Sequence, residues 1–125
     1  MRFIWYSPLP LCLFNTAAHG LGSPGCAAAD GLLHVSPAGD VLPCSSFRHD
    51  ERLGNLVHQS FQEIWQARAS RFFRRKAMAP APCEGCEQRE ICQGACPLYW
   101  RSLGLAELGG AVDDRPPLPP GFEVP

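Results

Sequence analysis

Seven cysteines, six of them in one ordered pattern, constrain what this chain can fold into more than any other feature. The pattern runs Cys26-x12-Gly39-x4-Cys44, then, after a long gap, Cys83-x2-Cys86-x5-Cys92-x3-Cys96. Thiols this closely spaced are not scattered core residues. A chain without export features that gathers them in short loops is building a metal centre. Four cysteines within fourteen residues, Cys83 to Cys96, form a denser run than a two-pair zinc ribbon. That density favours iron–sulfur ligation.

At 125 residues the chain is long enough for one small domain, or one domain and a tail. Apolar residues at 46% and charged residues at 18% fit a globular protein, while thirteen prolines and twelve glycines give turns a large share of it. So loop-rich a domain needs cross-links for stability. A net charge of −1 points to neither nucleic acid nor an anionic membrane. Arg2 and the apolar residues after it could open a secretory signal, but Pro8 and Pro10 cut the run short and no small-residue cleavage site follows. Leu11 is too large to precede a lipoprotein cysteine at Cys12, and no stretch is long enough to span a membrane. A reducing cytoplasm is the expected compartment, with no nucleic acid and no membrane as partner.

Residues 2–6 read as a short apolar strand, and residues 15–31 as a glycine-rich loop carrying Cys26. Leu32–Val35 and Val41–Leu42 form two strands joined through Ser36-Pro37-Ala38-Gly39-Asp40, where Gly39 can take positive φ. Residues 60–78 read as the main helix. Ser60 caps it, Glu63 completes a capping box, and Phe61, Ile64, Trp65, Arg68 and Phe72 recur at helical spacing. Arg71, Arg74, Arg75 and Lys76 near its end read as a solvated terminus rather than a nucleic-acid surface. Residues 80–100 read as loop and cysteine, and residues 105–125 as a Pro/Gly-rich disordered tail. The expected class is α+β: a small loop-rich domain with a β-hairpin, one main α-helix and cysteine-rich loops.

The cysteine pattern with its Gly39 resembles the SPASM domain, the auxiliary-cluster module found at the C-terminal end of many radical-SAM enzymes. The stretches HVSPAGDVLPC (34–44), GNL (54–56), FQEIW (61–65) and CQGACPLYW (92–100) carry the likeness, as does the approach Pro8-Leu9-Pro10-Leu11-Cys12. The resemblance implies that residues 1–11 correspond to the end of a catalytic barrel and residues 12–104 to the cluster-binding domain. It also implies one or two [4Fe–4S] clusters. Carried onto this chain, the family pattern puts Cys26, Cys44 and Cys96 on a first cluster, with Cys12 as its fourth ligand. A second cluster takes Cys83, Cys86 and Cys92.

Two full cubes need eight thiolates and only seven exist. The second cluster then keeps an open iron, takes His49, His58, Asp113 or Asp114 as a fourth ligand, or is absent. Zinc is the rival metal, because Cys83, Cys86, Cys92 and Cys96 alone could form a closed tetrahedral site. The catalytic loop of radical-SAM enzymes, Cys-x3-Cys-x2-Cys, is missing: Tyr99 stands where its third cysteine would follow Cys92 and Cys96. The sequence therefore implies an electron-relay or substrate-positioning module for a radical-SAM protein or its peptide substrate. The alternative is a structural zinc-binding interaction domain.

Overall fold

A computed structural model describes residues 1, 3–22 and 25–105. The proposed tail, Asp113 and Asp114 included, lies outside the described residues, apart from Leu105. The chain divides into two compact units. Of the described residues, 27–77 form a sheet unit, and those up to Cys26 join 78–105 in a cysteine unit.

The sheet unit is built on β1 (His34–Val35), β2 (Asp40–Leu42) and β3 (Gly54–Asn55), antiparallel in the order β1-β2-β3. His34 pairs with Leu42 and Val35 with Val41; Asp40 pairs with Asn55 and Val41 with Gly54. The hairpin turn closes at Gly39, whose φ of +84° glycine adopts without strain. Ser36 accepts the Gly39 amide on its carbonyl and the Asp40 amide on its hydroxyl. Asn55 pins the same turn from β3. Its side-chain amide donates to the Ala38 carbonyl at 3.0 Å and to Asp40 at 2.9 Å, and its carbonyl accepts from the Val57 amide at 2.8 Å.

One expected helix is two. α1 (Phe61–Gln66) and α2 (Arg68–Arg74) break at Ala67, whose ψ of 153° is extended. The capping box forms as expected, with Ser60 accepting from the Glu63 amide and Glu63 accepting from the Ser60 amide. Side chains from α2 serve the carbonyls at the end of α1: Ser70 Oγ donates to Ile64 O at 2.6 Å, and Arg74 donates to Trp65 O at 2.6 Å. Arg74 also lies 4.3 Å over the Trp65 ring, a cation–π contact. Arg74 is thus a structural part, while Arg71 and Arg75 stay exposed. Lys76 reaches Asp30 at 2.9 Å.

Val41, Leu42, Phe47, Leu53, Ile64 and Phe73 form a buried apolar set between sheet and helices, with Phe47 edge-on to Phe73. Gly54 sits directly against Ile64, where an added Cβ would come within 2.7 Å of its Cγ1.

In the cysteine unit, residues 3–6 are not a strand. Trp5 donates its amide to Leu21 O, and Phe3, Ile4 and Tyr6 are exposed. The stretch expected to be loop holds two helices, α3 (Arg89–Cys92) and α4 (Pro97–Leu103), preceded by a 3-10 turn at Ala81–Cys83. Pro97 at the first turn of α4 needs no amide partner there. Among the described residues, no helix is long and apolar enough to cross a membrane.

Candidate metal centre

Local turns present the cysteines. Cys12 rides a turn in which the Leu13 and Phe14 amides donate to Pro10 O; Pro10 and Leu11 are buried and Cys12 is exposed. The 3-10 turn ends on Cys83, whose amide donates to Pro80 O. The Cys83 carbonyl accepts from Cys86, and the Cys86 carbonyl from Arg89. Gly85 between them has φ +77°. α3 then delivers Cys92 at its last position. Each of these backbones is fixed by hydrogen bonds that leave the sulfur outside the ladder.

Between Cys92 and Cys96 the chain changes hand. Gln93, Gly94 and Ala95 all have positive φ, at 56°, 78° and 59°. Two of the three are not glycine, and such residues hold this conformation only where surrounding contacts enforce it. Those contacts are visible. Ala95 donates to Cys92 O, Gly94 packs against Ala79, and the buried Trp100 donates its indole N–H to Gly94 O at 2.6 Å. Cys96 follows as the cap of α4, and its carbonyl accepts from Tyr99. Gln93 in turn crowds Gly25, the residue before the buried Cys26, leaving no room there for a Cβ.

In the sheet unit, Cys44 follows β2 and opens a turn closed by the Phe47 amide. Its sulfur accepts a hydrogen bond from the Ser46 amide at 3.4 Å, an arrangement that stabilises negative charge on sulfur.

Cys83 and Cys12 share an electrostatic neighbourhood. Burial pushes the Cys83 thiol up to about 11, with added repulsion from Cys92, Cys12 and Cys86 and relief from Arg89. Burial likewise raises Cys12, and Cys92 and Cys86 add to it. Without a metal these are neutral thiols, and a bound cation must displace their protons.

None of the seven cysteines is in a disulfide. Among the described residues, no three His, Cys, Asp or Glu side chains are placed to share a single metal ion. A cube makes a different demand, because each thiolate goes to its own iron corner. An all-thiol donor set on short turns, with an amide N–H on one sulfur, suits that group. His49 and His58 are both exposed on the sheet unit.

The family model for an iron–sulfur cluster-binding domain, SPASM, matches residues 26–87. These residues belong to the SPASM family. The match contains Cys26, Cys44, Cys83 and Cys86, while Cys12, Cys92 and Cys96 lie outside it. The chain is also 42% identical over 84 residues to a PqqA peptide cyclase of Xanthomonas axonopodis pv. citri, covering 65% of this chain and 22% of that protein. To an AdoMet-dependent heme synthase of Methanosarcina barkeri it is 30% identical over 93 residues, covering 74% of this chain and 25% of that protein. The chain thus spans about a quarter or less of these relatives' length. No solved structure matches. The SPASM domain binds iron–sulfur clusters, and the match favours that group over structural zinc.

Asn55 and Trp100 escaped the sequence reading as individual residues, although both sit inside stretches that carried the resemblance. Their roles rest on partners that only the fold brings near.

Proposed function

We propose that this chain is an auxiliary iron–sulfur module that serves a radical-SAM protein in the cytoplasm, relaying electrons or positioning a peptide substrate. The cysteine set carried on ordered turns, within and beside a SPASM domain, is the observation that carries this reading. The relatives' names support the setting, since one is a cyclase of a peptide and the other is AdoMet-dependent. A bound cluster would supply one-electron chemistry at a potential set by its hydrogen bonds and exposure. This chain's own residues would tune it. The Ser46 amide donates a hydrogen bond to the Cys44 sulfur, and Arg89 favours the thiolate of Cys83.

Anaerobic reconstitution of the chain should load roughly four to eight irons with matching sulfide and give a brown protein. Stoichiometric zinc without iron would overturn the reading. Reduced and fully loaded, the chain alone should not cleave S-adenosylmethionine, because the three-cysteine loop is interrupted at Tyr99. Formation of 5′-deoxyadenosine by the purified chain would refute the accessory role.

A further inference from the structure

We infer that Gln93 is a positioning residue for Cys26. Its side chain fills the space that Gly25 leaves open, and so sets where the Cys26 thiol stands against the turn carrying Cys92 and Cys96. The inference rests on the iron–sulfur reading above and identifies a contact that joins two ligand loops far apart in sequence.

Gly25 is glycine for want of room. A glycine serves either where φ is positive or where another group approaches the backbone too closely for a side chain. Gly25 is not among the positive-φ glycines. A Cβ placed on it would instead lie 2.5 Å from Gln93 Oε1, 2.7 Å from its Cδ and 3.3 Å from its Cγ. Gly31, on the far side of Cys26 in sequence, gives the contrast. It also lacks positive φ, yet a Cβ there meets only Ala27 Cβ, at 3.4 Å. The need for glycine is specific to the residue that Gln93 touches.

The backbone of Gln93 is fixed. Its amide donates to Arg89 O at 2.8 Å, and it ends α3 with a φ of 56°. The turn it begins is held at Gly94 by Trp100 and Ala79. A methyl at position 25 therefore either pushes the Cys26 loop off this turn or rotates the Gln93 side chain out of its seat. Both changes release Cys26, which is 6% exposed and is the next residue along. Residues behind a metal ligand orient it and tune the bound group. Gln93 carries no charge, so it does this by shape.

The test uses the full chain, reconstituted anaerobically. Two quantities are read: the electron paramagnetic resonance of the reduced clusters and the rate at which a chelator strips their iron. Gly25→Ala should shift the resonance of one cluster and speed its iron release several-fold, and Gln93→Ala should do the same. The double variant, Gly25→Ala with Gln93→Ala, should return toward the wild type, because the new methyl occupies the space the glutamine vacates. Residues in contact are non-additive in this way. Gln93→Glu keeps the shape and should release iron at the wild-type rate, as should Gly31→Ala. A Gly25→Ala chain that matches the wild type in both readouts would overturn the role. So would a double variant whose defects are the sum of the single ones, or one that stays unfolded where Gly25→Ala is unfolded. A wild-type chain that loads no iron would refute the iron–sulfur reading itself and this role with it.

Discussion

Trp100 shows what one residue contributes here. Its indole N–H is the donor that holds Gly94 O inside a left-handed turn, and its ring is 1% exposed. Trp100→Phe keeps the apolar bulk and deletes the donor, leaving a buried carbonyl short of this partner. The expected cost is about 1–3 kcal/mol, read as a lower denaturation midpoint of the iron-loaded chain. An unchanged midpoint would show that the turn is held by its backbone alone. The SPASM likeness was legible at this scale because thiols at short, fixed spacing have few other uses. Gly39 was legible too, since a turn between two strands calls for positive φ. The left-handed Gln93 and Ala95 were not, because nothing in their side chains asks for that conformation. Packing around Gly94 and Trp100 imposes it.

At the scale of elements, the break at Ala67 was hidden by a helical periodicity that runs on through it. The interruption depends on Ser70 and Arg74 reaching back to Ile64 O and Trp65 O, which are contacts of the folded chain. Ser70→Ala should cost about 1 kcal/mol, measured by chemical denaturation. The same substitution should be neutral if α1 and α2 fuse into a single helix. β3 was also missed, because a two-residue strand has no period to detect. Its Asn55 nevertheless ties the hairpin to Asp40. Hydrogen bonds from Asn55 and then Arg52 hold the Asp40 carboxyl below its ordinary 3.8. A carboxyl depressed on folding adds stability that is fully present above the ordinary value and is lost as pH falls through the lowered one. Protection of the Leu56 amide, which bonds Gly39 O, should therefore fall as the metal-free chain is acidified below pH 3.8. In Asp40→Asn that acid-dependent loss should vanish. An identical acid profile in both proteins would separate the turn from Asp40's charge.

For the whole molecule, the two units differ in what holds them. The sheet unit buries Val41, Leu42, Phe47, Leu53, Ile64 and Phe73, a conventional apolar core. Among the described residues, the cysteine unit buries fewer large apolar side chains, chiefly Leu11, Met78, Trp100 and Leu105, so ligation must supply more of its folding energy. Removing iron with a chelator should open residues 81–92 to protease while residues 27–77 resist, as mass spectrometry of the fragments would show. Equal resistance would mean that the cysteine unit packs without metal. The division itself was not legible, because the cysteine pattern runs through both units without a linker. The sheet unit interrupts the cysteine unit, which breaks off at Cys26 and resumes at Met78. A ribosome making this chain therefore emits Cys12 and Cys26 early and completes the cysteine set only with Cys96. At roughly 5–20 residues per second, that wait lasts on the order of several seconds, long enough for the sheet unit to form first. During synthesis Cys12 and Cys26 are the thiols longest without their metal, and the first at hazard when oxygen reaches the nascent chain.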